Sequence, residues 1–283
     1  MKILIFGANG FLGSTFIEQL ENPKAINLLE DLSTEILENA DVILNCAGAS
    51  NVSNSFDQPN DDFNKNTFLV RQLLEKIRLS RNKNIRFVNL SSAAVYGNPQ
   101  ILPVREDSDK SPISPYGFHK NMAEDICLEY SRCFGLKTIS LRIFSAYGKG
   151  QKKMLLWDLH QKILNSHGEV KLYGTGEESR DFIHVDDIFQ QLTLAMNCAD
   201  FRGEVINVAN GVEVKINEIA ELYKKHHPIS FEYEFNGENR PGDPLNWCAD
   251  ITQMKEWGYE QKVGIEDGVE KYITWLGGVN SDS

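Results

Sequence analysis

Short, continuously apolar runs alternate with longer amphipathic ones through the first half of this chain. KILIF (2–6) ends in glycines and has the pattern of a strand buried on both faces. FLGSTFIEQLE (11–21) then reads as a helix. DVILNCAG (41–48) and IRFVNLSS (85–92) repeat the first pattern. Between them, DDFNKNTFLVRQLLEKIRLSR (61–81) carries Phe63, Leu69, Leu73, Leu74 and Ile77 at helical spacing. YGFHKNMAEDICLEYSRCFG (116–135) predicts a helix stopped by Gly135, and LKTISLRIF (136–144) a further strand. This alternation predicts an α/β fold around a doubly wound parallel sheet of the Rossmann type.

After about residue 145 the alternation weakens. KMLLWDLHQKILNS (153–166) has a helical pattern, VKLY (170–173) that of a short strand, and FIHVDDIFQQLTLAM (182–196) that of a strand and then a helix. GEVINVAN (203–210) reads as one more buried strand, and NEIAELYKKH and IEDGVEKYITWL as helices. The expected organisation is a dinucleotide-binding domain over 1–145, to which about 181–212 returns, and a smaller domain over 146–283 at the sheet's carboxyl edge.

Composition narrows the function. A formal charge of −11 argues against broad contact with nucleic-acid phosphates. It leaves room for a small phosphorylated ligand held by local arginines. Five scattered cysteines without a C-x-x-C predict neither a disulfide framework nor a zinc site, and no metal is expected. A reducing cytoplasm fits that usage best. The five-residue apolar start is too short for a signal peptide, and no run approaches the ~18 residues of a membrane span.

GANGFLG places Gly7, Gly10 and Gly13 between the first strand and the first helix. Glycine lets the backbone turn tightly and approach a pyrophosphate, and the helix N-terminus offers free N–H groups and partial positive charge. The alternative is a turn that only packs helix on strand. Tyr116 and Lys120 stand at i and i+4, on one helical face. A lysine beside a tyrosine favours the phenolate and yields a general acid/base for an alcohol oxygen. SSAAVYG, after a buried strand, offers Ser91 and Ser92 at the strand's carboxyl end, where such sheets bind ligands. Alone, Y-x-x-x-K is commonly a half-buried tyrosine near a solvated lysine.

Taken together, GANGFLG, SSAAVYG, SPYGFHK, LRIFSAYGKG, GTGEESRDFIHVDDI and RPGD, in this order, resemble the extended short-chain dehydrogenase/reductases. Within them the chain resembles the NAD-dependent epimerase/dehydratase family acting on nucleotide sugars, from Lys2 to about Leu276. The resemblance implies Ser92, not Ser91, as the catalytic hydroxyl, Tyr116 as the base and Lys120 as its partner and ribose contact. It implies Gly7, Gly10, Phe11, Leu12, Gly13 and Ala47 around the cofactor, and Asn66 in the helix before the catalytic strand. It implies Arg180 and Arg240 on the sugar-nucleotide diphosphate, a role two guanidinium forks suit. The alternative for each arginine is a surface salt bridge; Arg180 has Glu177, Glu178 and Asp181 nearby in sequence.

Some residues depart from the family pattern. Ser145 stands where the family has a substrate-touching asparagine, and Lys149 where it has proline. Ala93 and Ala94 follow Ser92, where the family's 4,6-dehydratases have an Asp-Glu pair. Two methyl groups cannot serve water elimination, which argues against a dehydratase. Two strand–helix units of the family fall between the first helix and DVILNCAG, and PKAINLLEDLST (23–34) leaves room for one. Either EDL is the adenine-contacting turn, with Asp31 and Leu32 at the base, or AINLL replaces the second strand and Glu30 or Asp31 bonds the ribose. Between Lys24 and Lys65 no basic residue offsets Glu30, Asp31, Glu35 and Glu38. A 2′-phosphate would be repelled there, so NAD(H) is favoured over NADP(H).

The expected function is hydride transfer at C4 of a nucleotide-linked hexose. The trimmed adenosine side suggests looser cofactor binding and favours a 4-keto(-6-deoxy)sugar reductase. The alternative is a 4-epimerase that keeps its NAD; a non-catalytic dinucleotide-binding protein is a third reading. Phe118, Met122, Ile126, Tyr130 and Phe134 form a stripe that is either core or a homodimer interface of the kind the family uses. His226 and His227 are expected at the solvated surface, and His119 is expected to point away from Lys120.

Overall fold

The computed structural model describes residues 1–281. Six parallel strands form the central sheet, in the order β10-β5-β4-β3-β1-β2. They are β1 (Ile3–Phe6), β2 (Lys24–Ile26), β3 (Val42–Asn45), β4 (Arg86–Ser92), β5 (Lys137–Ile143) and β10 (Arg202–Val208). The connections are α1 (Phe11–Gln19), the short α2 (Thr34–Glu38), a run of α3 (Val52–Asp57), α4 (Pro59–Phe63) and α5 (Leu69–Leu79), then α6 (Pro115–Phe134). Every residue of β1 and β3 is buried, as continuous apolar runs in a doubly covered sheet must be. One core cluster joins Ile5, Phe16, Val88 and Leu141; the other joins Leu4, Ile43, Phe87 and Leu74 across the opposite face.

The 61–81 segment is not one regular helix. Five residues, Asn64–Phe68, form a π-helical turn between α4 and α5. That turn holds the buried Asn66, and such turns concentrate at functional sites. The periodicity of the leucines signals the α5 face but is blind to a one-residue widening upstream.

β2 pairs in register with β1, Ile26 opposite Phe6, and among the described residues it is the edge strand on that side of the sheet. Lys24–Ile26 is therefore the second strand, which takes only Ala25 and Ile26 of AINLL, and the chain runs through a 3-10 turn (Leu29–Asp31) and α2 directly into β3.

Beyond β5 the chain forms β6 (Ser145–Tyr147), α7 (Met154–Asn165), β7 (Glu169–Leu172), β8 (Ser179–Arg180), β9 (Phe182–His184) and α8 (Val185–Cys198). After β10 come β11 (Val214–Lys215), α9 (Ile216–His226), β12 (Glu232–Phe235), α10 (Thr252–Glu256) and α11 (Ile265–Ser281). Three two-stranded pairs, β6 with β9, β7 with β12 and β8 with β11, stand apart from the main sheet. A third core of Leu159, Ile163, Tyr223 and Tyr272 serves this part. Asp181 ties it to the sheet: its fully buried carboxylate accepts the N–H groups of Asn210, Gly211 and Ala249 at 2.9–3.1 Å.

Two sequence expectations need correction. His227 is buried and its Nε2 lies 3.1 Å from His160 Nδ1, because the end of α9 packs onto α7. The α6 stripe is split: Phe118 and Met122 are exposed, whereas Tyr130 belongs to the core and its hydroxyl reaches Glu75.

Candidate active site

The first candidate feature is the glycine loop. Gly7 has φ +83°, and a Cβ there would stand 2.4 Å from the backbone nitrogen of Ala47. A Cβ at Gly13 would stand 2.2 Å from the Gly7 carbonyl oxygen. Both glycines are dictated by close backbone approach. Gly10 is different: its only near neighbour is the Gly7 carbonyl at 3.4 Å, and the rest is open. Gly10 caps α1 without any side-chain hydrogen bond, so the first N–H groups of the helix face that opening with no competing acceptor from a side chain. Phe11 and Leu12 follow at once, and Ala47 closes the loop from β3.

The second feature is the meeting of β4 and α6. Ser92 ends β4, and its Oγ accepts the N–H of Ala94 at 3.2 Å. Ser114 caps α6 by accepting the N–H of Gly117, with Pro115 at the first helical position. Gly117 lets α6 press against Ala94, bringing the preceding residue, Tyr116, toward Ser92. There the Ser92 hydroxyl stands where it favours the Tyr116 phenolate. One turn on, Lys120 Nζ donates to the Leu90 carbonyl at 2.9 Å and lies 5.8 Å from the Tyr116 ring centre. Ser91 is turned away and donates to Glu124 at 2.6 Å.

Burial pushes the Tyr116 phenol up to about 12, a rise that Ser92 moderates. Burial pulls the Lys120 ammonium down to about 8, against the opposing charge of Asp62 and Glu124. At neutral pH in the cofactor-free chain this is a protonated phenol beside an ammonium, poised to donate a proton. Base catalysis needs a further positive charge nearby.

The residues present fit a dinucleotide. A Cβ at Gly48 would stand 2.6 Å from Asn66 Oδ1 and 3.3 Å from Lys120 Nζ, so both side chains converge on that backbone. Asn66 Oδ1 and Nδ2 are buried without a hydrogen-bond partner among the described residues. Orphaned amide atoms beside a buried ammonium call for a polar ligand or water.

On the adenosine side, the Asp31 carboxylate accepts the Leu28 N–H at 2.9 Å and stabilises its own turn. Leu32 is buried in the core, so its side chain faces the protein interior. Neither geometry matches a residue waiting for a ligand; Glu30 remains exposed beside them.

The third feature is the pair of arginines. Arg180 donates to the carbonyls of Ser179 (2.8 Å) and Leu245 (3.2 Å) and lies 5.8 Å from the Trp247 ring. Burial pulls it down to about 10, and the like charge of Arg240 adds to this. Its sequence neighbours are engaged elsewhere: Glu177 with Lys215, Glu178 with the Thr175–Gly176 turn, Asp181 with three backbone N–H groups. Among the described residues no carboxylate comes within 4.0 Å of it. Arg240 is more exposed and pairs with Asp243 (3.1 Å) and Asp158 (3.6 Å). Its guanidinium also lies 5.0 Å from the ring centre of Tyr173, an exposed aromatic that sequence reading missed. The signal was available in the alternation: Val170 and Leu172 are buried and Lys171 exposed, so Tyr173 falls on the outward face with Lys171. Ser145 follows Phe144 at the start of β6, where its N–H bonds the Asp181 carbonyl at 2.9 Å.

Comparison with known proteins gives the family. The NAD dependent epimerase/dehydratase family matches residues 3–209. A putative UDP-glucose 4-epimerase of Methanocaldococcus jannaschii is 27% identical, with 97% of this chain and 98% of that protein covered. A UDP-glucose 4-epimerase of Lactobacillus helveticus is 26% identical, with 90% of each covered. The solved structure of MoeE5 with UDP-glucuronic acid and NAD superimposes with a TM-score of 0.88 at 26% identity, covering 99% of this chain and all of that one. On the glycine loop, the Ser92–Tyr116–Lys120 convergence and this match, the chain belongs to the NAD dependent epimerase/dehydratase family.

Proposed function

We propose that this protein is an NAD-dependent 4-epimerase of a nucleoside-diphosphate hexose. The observation that carries this reading is the Ser92–Tyr116–Lys120 set in a chain whose full-length relatives include UDP-glucose 4-epimerases. The same set would serve a 4-ketoreductase. The relatives favour the epimerase over the reductase that the trimmed adenosine edge had favoured.

In this mechanism the α1 N-terminus and Gly10 would hold the cofactor pyrophosphate, and Asn66 and Lys120 its ribose. Bound there, NAD would supply the acceptor and then the donor of the C4 hydride. Tyr116 takes the O4 proton as the C4–H bond yields its electron pair, and gives the proton back when C4 is reduced. Ser92 donates to O4, and Lys120 holds the phenolate. Arg180 and Arg240 grip the diphosphate, with Ser145 nearby, and Tyr173 offers a face for the base. Ala93 and Ala94, both buried, provide no acid or base for water elimination, which argues against a 4,6-dehydratase. The acids Glu30 and Asp31 support NAD over NADP.

The same reading divides the chain into a dinucleotide half over 1–145 and a nucleotide-sugar half over 146–283, of which 282–283 lie outside the described residues. The exposed Phe63, Phe68, Phe118 and Met122, on the adjoining α4–α5 segment and α6, support a homodimer.

The test is to denature the purified protein, identify released nucleotide by mass, and separately supply UDP-glucose without added cofactor. Retained NAD and formation of the C4 epimer are expected. An empty protein that consumes added reduced cofactor with a 4-keto sugar would replace this reading by the reductase.

A further inference from the structure

Two carboxylates act on Lys120, and they are not equivalent. Glu124, one turn along α6, is bound bidentately by Arg142 at 2.8–2.9 Å, deep in the protein. Its charge is already answered. Asp62, on α4 and one turn before Asn66, is 3% exposed. Its Oδ1 lies 2.6 Å from His119 Nδ1, while its Oδ2 is buried and has no hydrogen-bond partner among the described residues. His119, the residue immediately before Lys120, sits edge-on to Phe63 with its side chain 12% exposed. Its Nδ1 is on Asp62, and Asp62 lies one turn before Asn66, whose amide meets Lys120 Nζ at the Gly48 backbone.

A buried carboxylate oxygen without a partner is costly, and the orphaned Asn66 amide on the same helical face shares that condition. The contact with the imidazole Nδ1 holds Asp62 Oδ1 in place and leaves Oδ2 without a partner among the described residues. Other titratable groups facing this point are Tyr116 and Glu124 on α6 and Cys46 after β3.

We propose that Asp62 and His119 are a positioning pair, in which His119 fixes Asp62 and Asp62 is the counter-charge that keeps Lys120 an ammonium while Tyr116 works as base. This rests on the proposed proton transfer at Tyr116 and deepens it. The working form pairs a phenolate with an ammonium. The two limbs of the rate profile therefore belong to Tyr116 and Lys120 titrating as a pair. A negative charge at Asp62 raises both groups, so its removal moves both limbs to lower pH.

The test compares the full-length, NAD-loaded protein with Asp62→Asn and His119→Asn, the latter retaining an N–H donor. With UDP-glucose as substrate, Asp62→Asn should lower both limbs of the kcat/KM profile by about one pH unit, and His119→Asn should leave them in place. A merely structural role would lower the height of the profile without moving its limbs, and unmoved limbs in Asp62→Asn overturn the proposal. Asp62→Ser carries the same expectation should the amide disturb the turn. The Tyr116 phenolate absorbance, with Tyr116→Phe as blank, is titrated in parallel without sugar. A shift in that titration without turnover in any form, the unaltered chain included, would fault the proposed function and uphold the pair.

Discussion

Gly117 lies against Ala94 so closely that a Cβ at position 117 would stand 2.6 Å from the Ala94 carbonyl oxygen. This contact docks the helix of Tyr116 and Lys120 onto the turn that follows Ser92. The obstacle is backbone, so it cannot swing aside. Gly117→Ala should displace Tyr116 from Ser92, lower kcat/KM at least tenfold and cost about 1–3 kcal/mol of stability. Kinetics and urea unfolding of the same variant check both.

Tyr116→Phe keeps the shape of the buried ring and removes the proton carrier. Turnover should fall by about 10²–10⁴-fold while NAD is retained. Nucleotide release on denaturation and a turnover assay check this together. Undiminished turnover would remove Tyr116 from the mechanism.

The Glu124–Arg142 pair is buried at both ends, and Arg142 also donates to the Tyr96 hydroxyl at 2.7 Å. Loss of one partner strands the other charge. Glu124→Gln should cost about 3–5 kcal/mol, and Glu124→Leu combined with Arg142→Met less than the single change. Chemical denaturation of both variants decides it.

His160 and His227 share a buried contact, and burial pulls both below their usual range, His160 to about 4. The folded chain prefers both neutral. As pH falls below 6.5 the unfolded chain takes up protons that the folded one refuses, so stability is full above 6.5 and declines toward 4. His227→Gln should make that decline shallower, read as the urea midpoint at successive pH values.

Phe118 and Met122 are 50% and 43% exposed on one face of α6. If that face joins two copies, Phe118→Glu should yield a monomer by light scattering with its unfolding midpoint little changed. An unaltered protein that is already monomeric would remove the homodimer from the proposal.

Much of this protein was set by local pattern. Continuous apolar runs fixed the buried strands, glycine spacing fixed the dinucleotide loop, and Tyr116 and Lys120 share a face because of helical geometry alone. Whether AINLL pairs as a strand depended on hydrogen bonds to β1, which no local pattern contains. The same holds for charge. Sequence proximity set Arg180 among three acids, yet the fold engaged all three elsewhere. It brought Asp62 to His119 across 57 residues and buried His227, which its neighbours made look solvated. Periodicity records which face of an element is apolar; which partners meet across the interior is decided by packing, and the electrostatics of the site follow from those partners.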